Sequence, residues 1–369
     1  MNIPEHGLKG PRIGILGGGQ LARMLILAGR CLGCRFVVFD PDPNCPAGVI
    51  ADRLHSNDYK DFTALEAFAA DCDVITLEFE GIPIEAVQHL EQFAQVCPSA
   101  RVLEICQNRG LEKQFLRDNG VSCAPFAVVD SAEQLQAALQ TIGTPAVLKT
   151  ACWGYDGKGQ IKIESNAPDC AAIWQQLDSP VGVLEKWIPF KAECSVIVAR
   201  SRQGEVGVFP VAENEHHNHI LDTSRVPARL SDAVQLEAQN LAKKLAEQLE
   251  VIGLLAVEFF VTDSDELLVN ELAPRPHNSG HYTMDACVTS QFEQAIRAVC
   301  GLPLGSVHLH TPVVMHNLLG DLWLQKEPFE RAQILNNPYA KLHLYGKQEA
   351  RVGRKMGHVN VLARCAPSN

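Results

Sequence analysis

The stretch GLLAVEFFVTDSDELLVNELAPRP, residues 253–276, decides the fold, because it reads as two apolar β-strands joined by a tight turn. With the turn centred on Ser264 and Asp265, Glu258 of the first strand lies opposite Glu271 of the second. Opposed residues in an antiparallel pair stand about 5 Å apart, so like charges there repel each other. Either one glutamate points to solvent, or a positive group occupies the space between them. The apolar surroundings and the adjacent Asn270 favour the second interpretation.

The chemistry of this pair indicates which cation would bind. Carboxylate oxygens without a neighbouring Cys–His set favour Mg²⁺, which typically takes one or two carboxylates together with nucleotide phosphates. We therefore predict that Glu258 and Glu271 are metal ligands at a nucleotide site.

Length, charge and composition exclude several classes of protein. The 369 residues suggest two or three domains, and the net charge of −11 argues against a protein that coats duplex nucleic acid. No apolar run approaches the length of a membrane span, and no signal peptide is visible at the N-terminus. The thirteen cysteines are scattered, as expected of free thiols in a reducing compartment. We expect a cytoplasmic protein that binds small molecules, and neither nucleic acid nor membrane.

The order of elements predicts an α/β and α+β protein. The runs RIGILG, RFVVFD and DVITLEF alternate with helical patterns, which predicts a parallel sheet with helices on its faces. Shorter elements then flank a glycine-rich loop and suggest a small lid. Longer strands and one long helix follow, and the tail is strand-like and basic. We divide the chain into a Rossmann-like parallel-sheet domain, a lid subdomain, a C-terminal domain with an antiparallel sheet and a small strand-rich segment, at residues 1–113, 114–184, 185–309 and 310–369.

The glycine-rich loop is WGYDGKGQ, residues 153–160. Bare backbone N–H groups in such a loop can close around an anion, and a lysine adds positive charge. No Ser or Thr follows Lys158, so the loop does not fit the G-x-x-x-x-G-K-[ST] phosphate loop.

A second glycine motif follows the first predicted strand. Gly17, Gly19 and Ala22 fit the pattern G-x-G-x-x-[GA], and Asp40 ends the next strand, where a ribose-binding acid would lie. This motif keeps open a nicotinamide-dependent oxidoreductase. Its physical content is only a helix N-terminus that could receive any phosphate.

Basic residues and histidines mark further candidate positions. Lys149 ends a predicted strand just before the glycine-rich loop, Arg109 begins the connecting helix, and each alone is compatible with a solvated surface charge. Near the C-terminus the basic residues suggest an anionic substrate or merely a solvated face; they are Lys347, Arg351 and Arg354, with Arg275 and His277 in APRPHNSGH. The histidines at 216, 217 and 219 lack the separate ligands of a zinc site, so we expect one to point into a site and the others to lie on the surface.

Together these motifs resemble the ATP-grasp superfamily, and within it the N5-carboxyaminoimidazole ribonucleotide synthases of purine biosynthesis. The resemblance runs from GGGQLARM through TLEFE, WGYDGKGQ and NELAPRPHNSGH to GRKMGHVN. It implies an ATP-grasp fold, ATP and Mg²⁺ as cofactors, and a homodimer. The implied substrates are 5-aminoimidazole ribonucleotide and bicarbonate.

The resemblance also implies which residues bind ATP. Arg109 and Lys149 match positions that contact phosphates, Glu193 matches a ribose-binding acid, and His216 a histidine of the nucleotide site. The segment 185–188 would hydrogen-bond the adenine base through its backbone. The full implied set adds Gly154, Tyr155, Asp156, Gly157, Lys158, Gly159, Gln160, Glu185, Lys186, Trp187, Ile188, Asn270 and Glu271.

A further implied set binds the second substrate and performs the carboxylation. Arg275, His277 and Asn278 would hold bicarbonate, while Asp156 and Lys347 would assist proton transfer. The positions implied for the ribonucleotide site are Gln20, Leu21, Glu78, Tyr155, Asp156, Lys158, Asn278, Lys347, Arg351 and Arg354.

The implied reaction begins with attack of a bicarbonate oxygen on the γ-phosphate of ATP, while Mg²⁺, Lys149 and Arg109 neutralise the developing charge. The ribonucleotide amine then attacks the carboxyl carbon of carboxyphosphate or the CO₂ released from it. Three alternatives stay open: a formate-dependent glycinamide ribonucleotide transformylase, a nicotinamide-dependent oxidoreductase and a regulatory module without turnover.

Overall fold

Three β-sheets organise the chain in the computed structural model, which describes residues 10–152, 159–165, 167–325 and 330–363. The first sheet is parallel, with strand order β3-β2-β1-β4-β5. Its central strands are almost entirely buried, as expected for apolar runs covered by helices on both faces. Its strands are β1 (Arg12–Leu16), β2 (Arg35–Phe39), β3 (Arg53–His55), β4 (Val74–Leu77) and β5 (Val96–Cys97). Its helices are α1 (Gln20–Arg30), α2 (Phe62–Ala70), α3 (Ile84–Leu90) and α4 (Ala100–Gln107).

Helix α5 (Arg109–Asp118) leads from this sheet into the rest of the chain. The side chain of Asn108 caps it by accepting hydrogen bonds from the N–H groups of Gly110 and Leu111. The helix therefore begins at Arg109, one of the residues predicted to contact phosphate.

The second sheet is small and antiparallel, with strand order β6-β9-β7-β8. Two helices cover one face, and Leu135, Leu139, Leu148 and Leu184 form much of the small core between the layers. Its strands are β6 (Phe126–Val129), β7 (Ala146–Thr150), β8 (Gln160–Ile163) and β9 (Gly182–Lys186), and its helices are α6 (Ala132–Ile142) and α7 (Cys170–Leu177). We call this unit the lid sheet.

The third sheet has nine strands, ordered β15-β14-β10-β12-β13-β16-β18-β17, with β11 paired to β10. The stretch EVGVFPVAENEH, residues 205–216, does not form one continuous strand, because Pro210 has no N–H to donate to a ladder; β11 and β12 are separate. Its strands are β10 (Ala192–Arg200), β11 (Val206–Val208), β12 (Ala212–His217), β13 (Ile220–Val226), β14 (Gly253–Val261), β15 (Leu267–Ala273), β16 (Val313–Leu319), β17 (Ala340–Leu344) and β18 (Lys355–Leu362). Four helices accompany this sheet: α8 (Asp232–Gln248), α9 (Thr283–Ala286), α10 (Gln291–Val299) and α11 (Arg331–Leu335).

The predicted fold class is confirmed, with a parallel sheet followed by two antiparallel ones. The four-part division of the chain stays a prediction; strand β16 of its last segment hydrogen-bonds directly to β13, so the large sheet is continuous across residue 310. Within the described ranges, no helix combines the length and apolar character needed to cross a membrane.

Candidate active site

A cavity of about 930 Å³ lies where the three sheets meet. Most of the residues predicted from the sequence line it together, although they come from distant parts of the chain. These are Gln20, Leu21, Glu78, Arg109, Lys149, Gly159, Gln160, Glu185, Lys186, Trp187, Ile188, Glu193, His216, Glu258, Asn270, Glu271, Arg275, His277 and Asn278. The structure therefore gathers the predicted nucleotide and ribonucleotide residues around one space.

Two groups of predicted residues are not among them. Gly154, Tyr155, Asp156, Gly157 and Lys158 belong to the segment 153–158, which lies outside the described residues. The second group is the basic cluster near the C-terminus, considered next.

Lys347, Arg351 and Arg354 are not among the described residues that line the cavity. The Lys347 ammonium donates to the carbonyl of Lys355 at 2.7 Å, and Arg351 and Arg354 bond to Glu349 and are directed at their own loop. Lys355, at the start of β18, lines the cavity instead. The assignment of Lys347, Arg351 and Arg354 to the ribonucleotide site stays a prediction, and Lys355 is a further basic candidate from the same segment.

The paired carboxylates are where the hairpin argument placed them, since Glu258 of β14 is opposite Glu271 of β15. The predicted turn was wrong in detail. The first strand ends at Val261 and the second begins at Leu267. If the pairing nearest the turn continued without a shift, Asn270 would lie opposite Glu258. A β-bulge next to Glu258 makes Asn270 an extra residue and brings Glu271 into register. Because a bulge re-aims side chains, Asn270 and Glu271 both line the cavity beside Glu258.

The charge around this pair is strongly negative. Burial, followed by the charge of Glu271, raises the pKa of Glu258 to about 7. His277 lies 3.3 Å from the Glu258 carboxylate, but burial lowers the pKa of this histidine well below its usual value, so its ring is neutral. These oxygen ligands fit a divalent cation bound with nucleotide phosphates.

A second charged cluster lies under the lid sheet. The ammonium of Lys149 donates to Glu185 Oε2 at 3.1 Å, and Lys113 lies 3.8 Å from the same oxygen. The other oxygen, Oε1, is buried and has no hydrogen-bond partner among the described residues. Burial acts to raise the pKa of Glu185, yet the two lysines prevail and lower it. The carboxylate is therefore ionised, with one acceptor oxygen left over.

The backbone of the segment expected to meet adenine is partly committed already. The N–H groups of Lys186 and Trp187 donate to the carbonyls of Pro125 and Pro145 at 2.8 and 3.1 Å. These two N–H groups are not available to a base. Any backbone hydrogen bonds to adenine from the segment 185–188 would therefore have to come from its other N–H and C=O groups. Glu185 Oε1, which has no partner within the described ranges, is an additional acceptor that was not predicted from the sequence.

Aromatic rings and a histidine near this segment were missed by the sequence analysis. Phe190 and Phe260 both line the cavity and stack with ring centroids 4.7 Å apart. Phe260 could have been found, because it lies two residues after Glu258 and so shares its face of β14. His219 also lines the cavity with His216, so the expectation of a single inward histidine was wrong. His216 Nδ1 lies 2.9 Å from Glu193 Oε2, which joins these two nucleotide-site candidates.

The N-terminal glycine motif has a different partner from the dinucleotide of the alternative hypothesis. Glu78 accepts hydrogen bonds from the N–H groups of Gly19, Leu21 and Ala22 at 2.9–3.2 Å and so fills the N-terminus of α1. A Cβ atom on Gly19 would lie 2.5 Å from that carboxylate, which explains the glycine. Asp40 accepts from the N–H of Gly18 at 2.6 Å instead of facing a ribose.

The loop that follows β15 carries the residues expected to hold bicarbonate. Arg275 is buried against Glu80 and bonds it through Nε and Nη2, while Nη1 donates to the carbonyl of Pro276. Its charge is therefore already paired with Glu80, although Arg275 also lines the cavity. Asn278 differs, since both its amide nitrogen and its oxygen are buried without a partner among the described residues.

Comparison with known proteins agrees with this geometry. The chain matches the ribonucleotide synthetase preATP-grasp domain over residues 11–107, the ATP-grasp domain over 114–292 and the phosphoribosylaminoimidazole carboxylase C-terminal domain over 313–367. The N5-carboxyaminoimidazole ribonucleotide synthase of Bacillus subtilis is 48% identical over 355 residues, covering 96% of this chain and 92% of that protein. That of Brucella melitensis is 46% identical, covering 95% and 96%.

Solved structures give the same result. An ADP complex of N5-carboxyaminoimidazole ribonucleotide synthetase superposes with a TM-score of 0.90 at 46% identity, covering 97% of this chain and 93% of that one. The Aspergillus clavatus enzyme in complex with ADP and 5-aminoimidazole ribonucleotide has a TM-score of 0.87 at 32% identity, covering 97% and 95%. These relatives favour the synthase over the transformylase, the oxidoreductase and the regulatory module. The chain belongs to the N5-carboxyaminoimidazole ribonucleotide synthase family of ATP-grasp ligases.

Proposed function

We propose that this enzyme carboxylates 5-aminoimidazole ribonucleotide with bicarbonate, consuming ATP and releasing ADP and phosphate, through carboxyphosphate. The observation that carries the proposal is the composition of the cavity. Paired acids, Glu258 and Glu271, share it with the cations Arg109 and Lys149 and with the amide of Asn278, which has no hydrogen-bond partner in the described part of the chain. A metal–phosphate site and a small polar site thus open into the same space.

The first half of the reaction is phosphoryl transfer. Arg109 and Lys149 would neutralise charge on the phosphates, and positioning with electrostatic stabilisation supplies nearly all of the catalysis in such reactions. Glu258 and Glu271, with Asn270 beside them, would hold Mg²⁺. When bound, this ion would neutralise phosphate oxygens next to the transferred group. The spare oxygen of Glu185 is suited to accept a hydrogen bond from the amino group of adenine.

Bicarbonate would bind at the loop after β15. Asn278 offers an NH₂ donor group and a carbonyl acceptor, and bicarbonate needs both kinds of partner because it carries an O–H group and negatively charged oxygens. The neutral ring of His277 would act as a hydrogen-bonding partner beside it. Arg275 is paired with Glu80, so we now assign it to holding the loop in place.

The second half of the reaction forms the new N–C bond. The exocyclic amine of the ribonucleotide attacks the carboxyl carbon, phosphate leaves, and the amine loses a proton. We propose that Gln20, Leu21, Glu78 and Lys355 face the ribonucleotide, with Asp156 supplying the base as implied by the resemblance. Closing the cavity would keep the labile carboxyphosphate from water.

Three properties stay predictions that rest on the family resemblance. These are the homodimer, the cytoplasmic location and the four-part domain division. Light scattering of the purified protein tests the first of them, with twice the mass of the 40.4 kDa chain as the expected result.

Oxygen transfer tests the proposed chemistry. Attack by a bicarbonate oxygen on the γ-phosphate moves that oxygen into the phosphate released. With ¹⁸O-labelled bicarbonate, brief turnover should therefore yield phosphate that carries one ¹⁸O atom. Unlabelled phosphate from an enzyme that still forms product would rule out carboxyphosphate.

A further inference from the structure

Helix α5 carries two buried ionisable residues that the mechanism does not use. Glu112 and Lys113 are only 2% and 1% exposed, and neither is among the described residues that line the cavity. Buried charges are costly unless they are paired and hydrogen-bonded. Their positions on consecutive residues of one helix therefore require an explanation.

Both side chains hold the outer edge of β15, which is an edge strand of the nine-stranded sheet. The N–H of Leu272 donates to Glu112 Oε1 at 2.5 Å, and the Lys113 ammonium donates to the carbonyl of Asn270 at 2.8 Å. These backbone groups lie on either side of Glu271. The β-bulge makes Asn270 an extra residue in the pairing of β14 with β15. The side chains of α5 bind the backbone of β15 at this bulge, along the edge of the strand that faces away from β14.

Lys113 also reaches the lid sheet. Its ammonium lies 3.8 Å from Glu185 Oε2 on β9, the oxygen that also accepts from Lys149. One side chain thus connects the Asn270–Glu271 step of the large sheet to a cavity-lining carboxylate of the lid sheet.

We propose that Lys113 and Glu112 are positioning residues that fix the Asn270–Glu271 step relative to Glu185. They thereby set the spacing between the metal-binding carboxylates and the part of the site that holds the nucleotide. Such sites tolerate misplacement of only about 0.5 Å, and helix α5 is a rigid element that also carries Arg109. This inference rests on the proposed function, because it assumes a metal–nucleotide complex in the cavity.

The competing explanation is that the two residues merely stabilise the edge of the sheet. That role predicts a lower melting temperature for variants, without a specific change in how Mg²⁺ affects nucleotide binding. A positioning role predicts such a change even in a variant that folds well. The two explanations are therefore separated by ADP binding measured with and without Mg²⁺.

The experiment compares calorimetric ADP binding, with and without Mg²⁺, for the full-length wild type, Lys113→Met, Lys113→Arg and the control Lys244→Met. Lys244 also donates to a backbone carbonyl, that of Asn119 at 2.7 Å, but it lies on α8 and is exposed. We expect Lys113→Met to lose about tenfold or more of the Mg²⁺-dependent gain in ADP affinity, as is usual when a partner of a metal ligand is removed. The control should stay within about twofold of the wild type.

Lys113→Arg keeps the charge but lengthens the side chain and changes its geometry. If Lys113 is a positioning residue, Lys113→Arg should lose about threefold or more of the Mg²⁺-dependent gain in ADP affinity, a smaller loss than for Lys113→Met. If only a buried positive charge is needed, Lys113→Arg should lose none of this gain. If Lys113→Met does not fold, Lys113→Arg decides alone. Wild-type-like Mg²⁺ enhancement in every folded Lys113 variant would overturn the inference and leave the proposed function intact. If Mg²⁺ does not change the affinity of the wild type for ADP, both the inference and the proposed metal–nucleotide site are wrong.

Discussion

Glu258 and Glu271 lie directly opposite each other on neighbouring strands, and the extra residue Asn270 places them in that register. A regular hairpin would have put Asn270 opposite Glu258 and turned Glu271 to the other face. The bulge instead gathers two carboxylates and one amide on the cavity wall. This arrangement is unfavourable for the empty protein and favourable for one that binds a cation, which leads to the first prediction.

Replacing Glu258 by Gln should stabilise the ligand-free protein at high pH and abolish most activity. Because the pKa of Glu258 is raised to about 7, the folded state holds its proton more tightly than the unfolded state. The resulting stability is present below the ordinary pKa and is lost as the pH rises towards 7. We therefore expect Glu258→Gln to melt about 2–4 °C above the wild type at pH 8, with no such gain at pH 5.

Thermal unfolding at both pH values checks this, with Asp263→Asn in the exposed connection as the control. Turnover of Glu258→Gln should fall about 100-fold or more, as expected when a ligand to catalytic metal is lost. An equal shift in melting temperature at both pH values would contradict the assigned repulsion.

Lys149→Met should weaken ATP binding more than ribonucleotide binding. Lys149 donates to Glu185 and opens onto the cavity, and truncating one partner of a buried charge pair costs about 2–5 kcal/mol. We expect KM for ATP to rise about 30-fold or more, while KM for the ribonucleotide changes little. Lys191→Met, which breaks an exposed pair with Asp265, is the matched control and should leave both constants unchanged. Equal effects on both substrates would place Lys149 elsewhere in the mechanism.

Glu78→Ala should destabilise the N-terminal domain. The substitution leaves three N–H groups at the start of α1 without their acceptor, and a buried donor left unsatisfied costs about 1–3 kcal/mol. Urea unfolding near pH 7 measures the change in free energy of unfolding. Glu78→Gln keeps one acceptor oxygen and should recover part of the loss. If Glu78→Ala unfolds like the wild type, this carboxylate does not cap the helix in solution.

Ligand protection separates the synthase from the oxidoreductase suggested by the first glycine motif. Glu78 and Asp40 already occupy the backbone groups that would bind a dinucleotide. We therefore expect ADP with Mg²⁺ to raise the melting temperature and NAD to have no effect at the same concentration. Comparable protection by NAD would show that this motif binds nucleotides after all.

Asp156→Asn should impair carboxylation far more than ATP binding. Asp156 belongs to the glycine-rich loop outside the described residues, and its assignment as a base comes from the family resemblance. Loss of a general base typically costs about 100-fold or more in rate. Product formation should fall by that factor while calorimetric ADP binding stays within about twofold. A normal rate would remove Asp156 from the mechanism.

Features that depend on residues close together in the sequence were predicted correctly. Apolar runs and helical periodicity predicted the parallel sheet, and the hairpin argument paired Glu258 with Glu271. That pairing was correct although the turn was misplaced, because the bulge compensated for the error. Short-range spacing cannot reveal a bulge, which is stabilised here by side chains from a distant helix.

The misses have a common physical origin. Lys355 was overlooked, because only the loop geometry decides which basic residues of this segment line the cavity. Likewise, Glu112 and Lys113 look like ordinary charges on an amphipathic helix. Their burial depends on the packing of α5 against β15, which joins residues about 160 positions apart.

The most direct test of the account is ADP release by the purified enzyme with Mg²⁺ and ATP, with 5-aminoimidazole ribonucleotide and bicarbonate added singly and together. We predict full turnover only when both are present, and no replacement of bicarbonate by formate. ADP release that needs glycinamide ribonucleotide and formate, or that ignores bicarbonate, would contradict the proposed function.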